Sequence, residues 1–350
     1  MTTYLIRRAL QGFVVLVLST MIIYFLLAQM PGSPGSALRG SSERITKKMQ
    51  QDLERAMGWH GSLPWWDQYR LWLFNPDNTR AIDNPIDIQI GDVHIKGSGL
   101  LTGNWGRSIV IAKGQPVMEQ IQARLPNTLI LMITSVLVSV LIAFPIGVLS
   151  AIRQYSKLDY AVTMFSFFGL SMPTFWFGLM LIILFAVNFK QWGLPYLPPG
   201  GLADPGMEHD FLNRLSHLVL PVTVLSIISV AGWSRYIRSS MLEVLRQDYV
   251  RTAWAKGLKQ RVVILKHALR NALIPLITIV GLTLPGLFGG AIITETVFGY
   301  PGMGQLYYSA LNYDWSLVMG ILVISTILVV VSNMLADVLY AIADPRIRYS

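Results

Sequence analysis

The sequence predicts an all-α membrane protein that crosses the bilayer about six times. Hydrophobic residues make up 53% of the 350-residue chain and charged residues only 13%. A soluble domain carries about 25% charged residues. The deficit is uneven: long stretches are almost free of charge, and the charges collect between them. A span needs roughly 20 mostly apolar residues. Six stretches meet or approach that: Ala9–Met30, Thr128–Ile152, Ala161–Val187, Leu215–Trp233, Ala272–Ile293 and Leu317–Ile342. The fourth is interrupted by Pro221, and the sixth carries Asn333 and Asp337 near its end. Arg7 and Arg8 before the first stretch resemble the start of a signal peptide. The apolar run is longer than a signal h-region of about 7–15 residues, and Gln29-Met30-Pro31 is a poor cleavage site, so a retained span is expected.

Lys and Arg near span ends set orientation. With the N-terminus inside, the cytoplasmic pieces are residues 1–8, 153–160, 234–271 and 343–350. They hold 15 of the 28 basic residues, opposed only by Asp159, Glu243, Asp248 and Asp344. The net charge of +9 is therefore largely a property of the cytoplasmic loops. A multi-pass protein of the cell (inner) membrane with both termini cytoplasmic is expected, and no nucleic-acid partner is needed to explain the charge.

Two segments stand apart from the spans. Residues 31–127 form a long extracytoplasmic insertion. Within it, Glu43 to Met57 reads as a short amphipathic helix, with Ile45, Met49, Leu53 and Met57 at helical spacing. Ile86, Ile88 and Ile90, then Gly91-Asp92, then Val93 and Ile95 read as a β-hairpin with a two-residue turn. Trp59, Trp65, Trp66, Trp72 and Trp105 in the same region fit either packing with an aromatic belt or a docking surface. The second segment, residues 234–271, is a long basic loop.

Much chemistry is missing. The chain has no cysteine, which excludes disulfides, thiolate metal sites and a cysteine nucleophile. It has no Gly-Lys pair and hence no phosphate-binding P-loop. Its five histidines show no metal-ligand spacing, and no Gly-x-Ser-x-Gly elbow occurs. An enzyme reading has no constellation behind it. Any uphill transport needs an ion gradient or another subunit. Asp337, with Glu295 at the outer end of the fifth span, is the candidate for an intramembrane relay; a boundary residue is the plainer reading.

The basic loop reads as helix, glycine break, helix. Ser239–Lys256 carries an apolar row at Leu242, Leu245 and Tyr249, Gly257 can take the left-handed conformation that ends a helix, and Gln260–Asn271 resumes it. Such a hairpin suits a groove on another protein or the lipid surface. Here the sequence resembles the permeases of ABC importers. Ala253-x-x-x-Gly257 and the second half of the loop look like their "EAA" loop. The dipeptide/oligopeptide branch is matched by Arg251-Thr252-Ala253-x-Ala255-Lys256-Gly257, by His267 to Ala272, by Glu295-Thr296-Val297-Phe298-x-x-Pro301-Gly302-x-Gly304, and by Asp344-Pro345-Arg346. Tyr4-Leu5-x-Arg7-Arg8 and Arg124-Leu125-Pro126-x-Thr128-Leu129 fit as well. The "EAA" Glu and first Ala are Arg251 and Thr252 here, which suits that branch. Residues of roughly 75–100 look like an insertion beyond its usual pattern.

The resemblance implies a type I ABC importer permease (MetI-like) fold. It implies three parts: residues 1–30 (tail and first span), residues 31–127 (extracytoplasmic), and residues 128–350 (permease core). It implies a heterodimer with a second permease subunit, two cytoplasmic ABC ATPase subunits and an extracytoplasmic substrate-binding protein. ATP and Mg would sit on the ATPases, with no cofactor bound by this chain. Arg251, Thr252, Ala253, Ala255, Lys256, Gly257 and His267 would form the coupling loop. The solute implied is a di- or oligopeptide; nickel, oligosaccharides or glutathione in the same family, and an ion-coupled transporter or channel acting alone, remain alternatives. Independently, the fifth span carries Pro275, Gly281, Pro285, Gly286, Gly289 and Gly290. Prolines kink a helix, and small residues allow close helix approach. Thr278, Gly281, Thr283, Pro285, Gly286 and Gly290 are the candidates for the translocation path, with tight packing as the alternative.

Overall fold

In the computed structural model, the described residues are 2–29, 63–74, 87–90, 93–96, 99–108, 110–112, 114–269, 272, 279–281, 291–311 and 314–343. The expected helix over Glu43–Met57 lies outside them. The main helices are α1 (Thr2–Ala28), α2 (Trp65–Phe74), α3 (Val117–Ile152), α4 (Lys157–Ser171) and α5 (Thr174–Gln191). After these come α6 (Phe211–Leu245), α7 (Asp248–Ala255), α8 (Met303–Ala310) and α9 (Trp315–Ala343). Two short strands, β1 (Asp87–Ile90) and β2 (Val93–Lys96), pair antiparallel with Ile88 opposite Ile95 and Ile90 opposite Val93.

Five of the described helices are long and apolar enough to cross a membrane: Ile6–Ala28, Val117–Ile152, Thr174–Gln191, Phe211–Leu245 and Trp315–Asp337. Most of the expected fifth span, Ala272–Ile293, lies outside the described residues. The third span differs from its expected form. Met172 is extended at φ −85°, ψ 125°, and Pro173 follows at φ −62°, ψ 129°. A residue before proline avoids the helical region, and proline has no N–H to donate. The stretch expected as one helix over Ala161–Val187 is therefore two, α4 and α5. Within α5 the ladder widens to π-helical spacing over Ile182–Asn188.

The fourth span differs in the opposite direction. It does not stop at Trp233; α6 continues to Leu245 with Pro221 inside it. At 1.5 Å per residue its 35 residues extend about 50 Å, well beyond a hydrocarbon core of about 30 Å. The helix expected over Ser239–Lys256 is accordingly two pieces. Its first turns belong to α6, Gln247 is extended at φ −70°, ψ 148°, and α7 begins at Asp248.

The chain divides into two compact units, one of Thr2–Asn127 with Gln305–Val330 and the other of Thr128–Gly304 with Val331–Ser350. In the first, Tyr24, Tyr69, Trp72, Met319 and Val323 form a buried aromatic core. Tyr24 meets Tyr69 edge-on at 5.6 Å and Trp315 edge-on at 5.8 Å. Trp72 and Trp105 belong to this packing, whereas Trp66 is exposed. Asp314 ties the chain before α3 to the start of α9, accepting from Ser108 Oγ at 2.6 Å and from the Val110 N–H at 3.1 Å.

In the second unit, α3, α4 and α6 pack along a seam of small residues. A Cβ on Gly147 would lie 2.7 Å from the Ser234 carbonyl oxygen, and one on Gly169 would lie 3.0 Å from the Ala231 Cβ. Ser166 and Ser234 hydroxyls pair at 3.3 Å across the same seam. With apolar lipid outside, close backbone approach and shared hydroxyls hold such helices together.

Candidate functional site

The 246–269 segment folds as a helical hairpin. Its first arm is α7. Its second arm starts at Gln260–Val262 and continues with π-helical spacing through Val263–Ala268. Between them Gly257 sits at φ +73°, the left-handed region that an L side chain enters only with strain. The Gly257 N–H closes the turn on the Trp254 carbonyl at 2.9 Å.

The hairpin has its own small core. Val250, Ala253 and Val263 are buried against one another, with Val244 and Leu245 of α6 beside them. Ala253 is small, which lets the two arms close, and it is turned inward. Tyr249 leaves the expected apolar row and is exposed. The outward face carries Trp254 at 42% exposure, Leu265 at 62%, and Leu258 and Val262. Arg251, Thr252, Ala255, Lys256, Lys259 and Arg261 are exposed with them, and His267 is half-buried. Thr252 Oγ1 donates to the Asp248 carbonyl at 2.9 Å, and Arg251 lies 3.7 Å from the Asp248 carboxylate. A compact basic hairpin thus presents four large apolar side chains that stay exposed among the described residues.

The second arm is anchored on α6. Ile264, Ala268 and Ala272 are buried with Trp233, Ile237 and Met241 of α6 and with Ala143 and Ala151 of α3. Beside this packing lies an ion pair that sequence reasoning missed. Asp159 of α4 is 3% exposed. Its two oxygens accept from Arg238 Nε at 2.5 Å and Nη2 at 2.8 Å. They also accept from Ser150 Oγ at 2.5 Å and from the Tyr155 N–H at 2.9 Å. The Arg238 guanidinium, with Ser150 and the Tyr155 amide, holds the Asp159 carboxyl well below the usual carboxylate range. Tyr155 has φ +62°, the one positive φ of a non-glycine residue among the described residues.

Beyond the fifth stretch, two motifs that are far apart in sequence meet. Thr128 Oγ1 donates to Glu295 Oε1 at 2.7 Å and accepts from the Met303 N–H at 2.8 Å. Glu295 is fully buried. A Cβ on Gly302 would lie 2.2 Å from the Glu295 carboxyl, and one on Gly304 would lie 2.6 Å from the Ile292 Cα. Pro301-Gly302-x-Gly304 is therefore a wall around the carboxylate of its own motif. Tyr300 is buried nearby, and burial pushes its hydroxyl up to about 12, so it is a neutral neighbour.

Of the translocation-path candidates, Gly281 is described. A Cβ there would lie 2.9 Å from the Ala336 Cβ of α9, so at this position the fifth stretch is in tight helix packing. Thr278, Thr283, Pro285, Gly286 and Gly290 lie outside the described residues.

Residues 143–349 match the family described as the binding-protein-dependent transport system inner membrane component. The chain is 42% identical, over the full length of both, to the oligopeptide transport system permease protein AppB of Bacillus subtilis (strain 168). It is 36% identical, again over the full length of both, to the dipeptide transport system permease protein DppB of Alkalihalophilus pseudofirmus. The oligopeptide transport system permease protein OppB of Haemophilus influenzae is 33% identical, with both chains covered in full. Among solved structures, the inward-facing MetNI methionine ABC transporter superposes with a TM-score of 0.52 at 19% identity, covering 65% of this chain and 97% of that one; at that identity the likeness is one of fold. The chain therefore belongs to the binding-protein-dependent transport system inner membrane components, and it is a multi-pass permease subunit of an ABC importer.

Proposed function

We propose that this permease forms one half of a peptide-conducting heterodimer in an inner membrane. A second permease subunit completes the path, two cytoplasmic ATPase subunits drive it, and an extracytoplasmic binding protein delivers di- and oligopeptides. The peptide assignment is supported by full-length relatives that carry peptide-transport names. The 246–269 hairpin is the ATPase-docking element, and both termini lie on its side of the membrane. Arg251, Thr252, Ala255 and Lys256 line the contact, Gly257 sets its turn, Ala253 closes it, and His267 stands on the second arm. The stretch from Thr278 to Gly290, apart from the packed Gly281, lines the passage.

The observation that carries this reading is the outward face of the hairpin. Trp254, Leu258, Val262 and Leu265 are exposed together while Val250, Ala253 and Val263 fill the inside. A folded hairpin that has already buried its own core keeps large apolar groups outside for a partner, and a basic rim steers an acidic groove to it. Trp254→Glu places a charge among these exposed apolar groups. It should reduce co-purification of the ATPases by at least about tenfold, while insertion and pairing with the second permease subunit continue. ATPase retention at the wild-type level would refute the docking assignment. Uptake measured with the binding protein loaded with peptide, nickel or an oligosaccharide tests the solute class.

A further inference from the structure

We infer that the Asp159–Arg238 ion pair is a coupling latch: it makes the α3–α4 turn move as one body with α6 and the hairpin. The inference rests on the docking role proposed for the hairpin, and it assigns Asp159 and Arg238 as positioning residues for transport. Three features carry it. The pair is bidentate, its carboxylate buried and its guanidinium side chain about a quarter exposed, with Asp159 also bound to Ser150 on α3 and to the backbone of Tyr155 in the turn. It therefore joins three separate pieces of chain through one carboxylate. It lies next to the cluster that binds the second arm of the hairpin to α6, in which Ala151 of α3 also takes part. The turn it holds is strained at Tyr155, a conformation that persists only where its surroundings enforce it.

The mechanical consequence follows from the packing. A force on the hairpin reaches α6 through Ile264 and Ala268 against Ile237 and Met241. Apolar packing of that kind can slide. A bidentate Arg–carboxylate pair fixes direction as well as distance. The pair accordingly converts a displacement of α6 into an equal displacement of the α3–α4 turn. Without it the hairpin and α6 can shift while α3 and α4 lag, and ATP is hydrolysed without the matching movement of solute.

Buried ion pairs also serve stability, and the test separates the two roles. Removing one partner leaves an unpaired buried charge, which is costly, whereas neutralising both is often close to neutral for folding. The double variant Asp159→Asn with Arg238→Gln is therefore the informative one. It is assembled with the second permease subunit, the ATPases and the binding protein, and solute transported per ATP hydrolysed is measured in proteoliposomes. The latch predicts normal assembly and near-normal hydrolysis, with transport per ATP lowered by about fivefold or more. Asp159→Glu, which keeps the carboxylate, should restore most of the ratio. A double variant with the wild-type ratio, whether assembled fully or in reduced amount, would overturn the latch. Trp254→Glu in parallel keeps the two readings apart: it tests docking through ATPase retention, and the latch is read only in complexes that retain their ATPases.

Discussion

Gly257 offers a prediction whose magnitude can be worked from one position. It sits at φ +73°, and a Cβ built there meets no atom within 4 Å. Substitution therefore meets no steric clash, and its whole cost is conformational. For an L residue held in the left-handed region that cost is roughly 1–2 kcal/mol, with β-branched residues at the upper end and Asn at the lower. The hairpin must keep this turn to hold Trp254, Leu258, Val262 and Leu265 outside its core, so the strain falls on ATPase docking. At 1.4 kcal/mol per tenfold, Gly257→Val should weaken ATPase association by roughly 5–30-fold. Gly257→Ala should fall between, and Gly257→Asn should be nearest the parent. The assay is titration of the purified ATPase against the permease pair in detergent or nanodiscs, with insertion and pairing as controls. Equal affinity across the series, or Asn weaker than Val, would refute the reasoning.

Three further outcomes are expected. Gly302→Ala drives a methyl into the Glu295 carboxyl, 2.2 Å away, and should destabilise the permease by roughly 1–3 kcal/mol, read as a lower thermal midpoint; an unchanged midpoint would contradict the cage. The Asp159 carboxyl is held below its usual range, so its contribution is fully present above the unfolded value of about 3.9 and is lost only as pH falls below it. Assembly and transport per ATP should therefore show no latch-dependent change between about pH 8 and pH 5, and a loss in the wild type that the double neutral variant lacks would contradict the assignment. Single cysteines placed from Thr278 to Gly290 on this cysteine-free chain should react with small polar thiol reagents at some positions and change reactivity when the ATPases are trapped with nucleotide, whereas uniform inertness would favour packing.

The long apolar stretches were legible because membrane spans write themselves in composition. Their interruptions were harder to see. Ser171-Met172-Pro173 carries a helix break that local proline chemistry predicts, yet the uniformly apolar surroundings concealed it. Pro221 reads as an interruption and is absorbed within α6. Arg235 and Arg238 lower hydropathy after Trp233 but are good helix formers, so the helix outlasts its apolar signal. Gly257 was legible because its role is local: a turn at positive φ between two helical patterns. The inward turn of Ala253 was not legible, because spacing alone does not say which side of a helix another arm will cover. The Asp159–Arg238 pair is 79 positions apart and the Thr128–Glu295 pair 167. No local pattern links such residues; Thr128 and Glu295 each stood in a short motif, whereas Asp159 and Arg238 stood in none.

ATP-dependent accumulation of a labelled oligopeptide in proteoliposomes, with the permease pair, ATPases and binding protein all present, tests the central claim most directly. The account predicts uptake that requires every component and that collapses with Trp254→Glu although the permease pair remains intact. Peptide accumulation by this chain alone, driven by an ion gradient and indifferent to the ATPases, would contradict it.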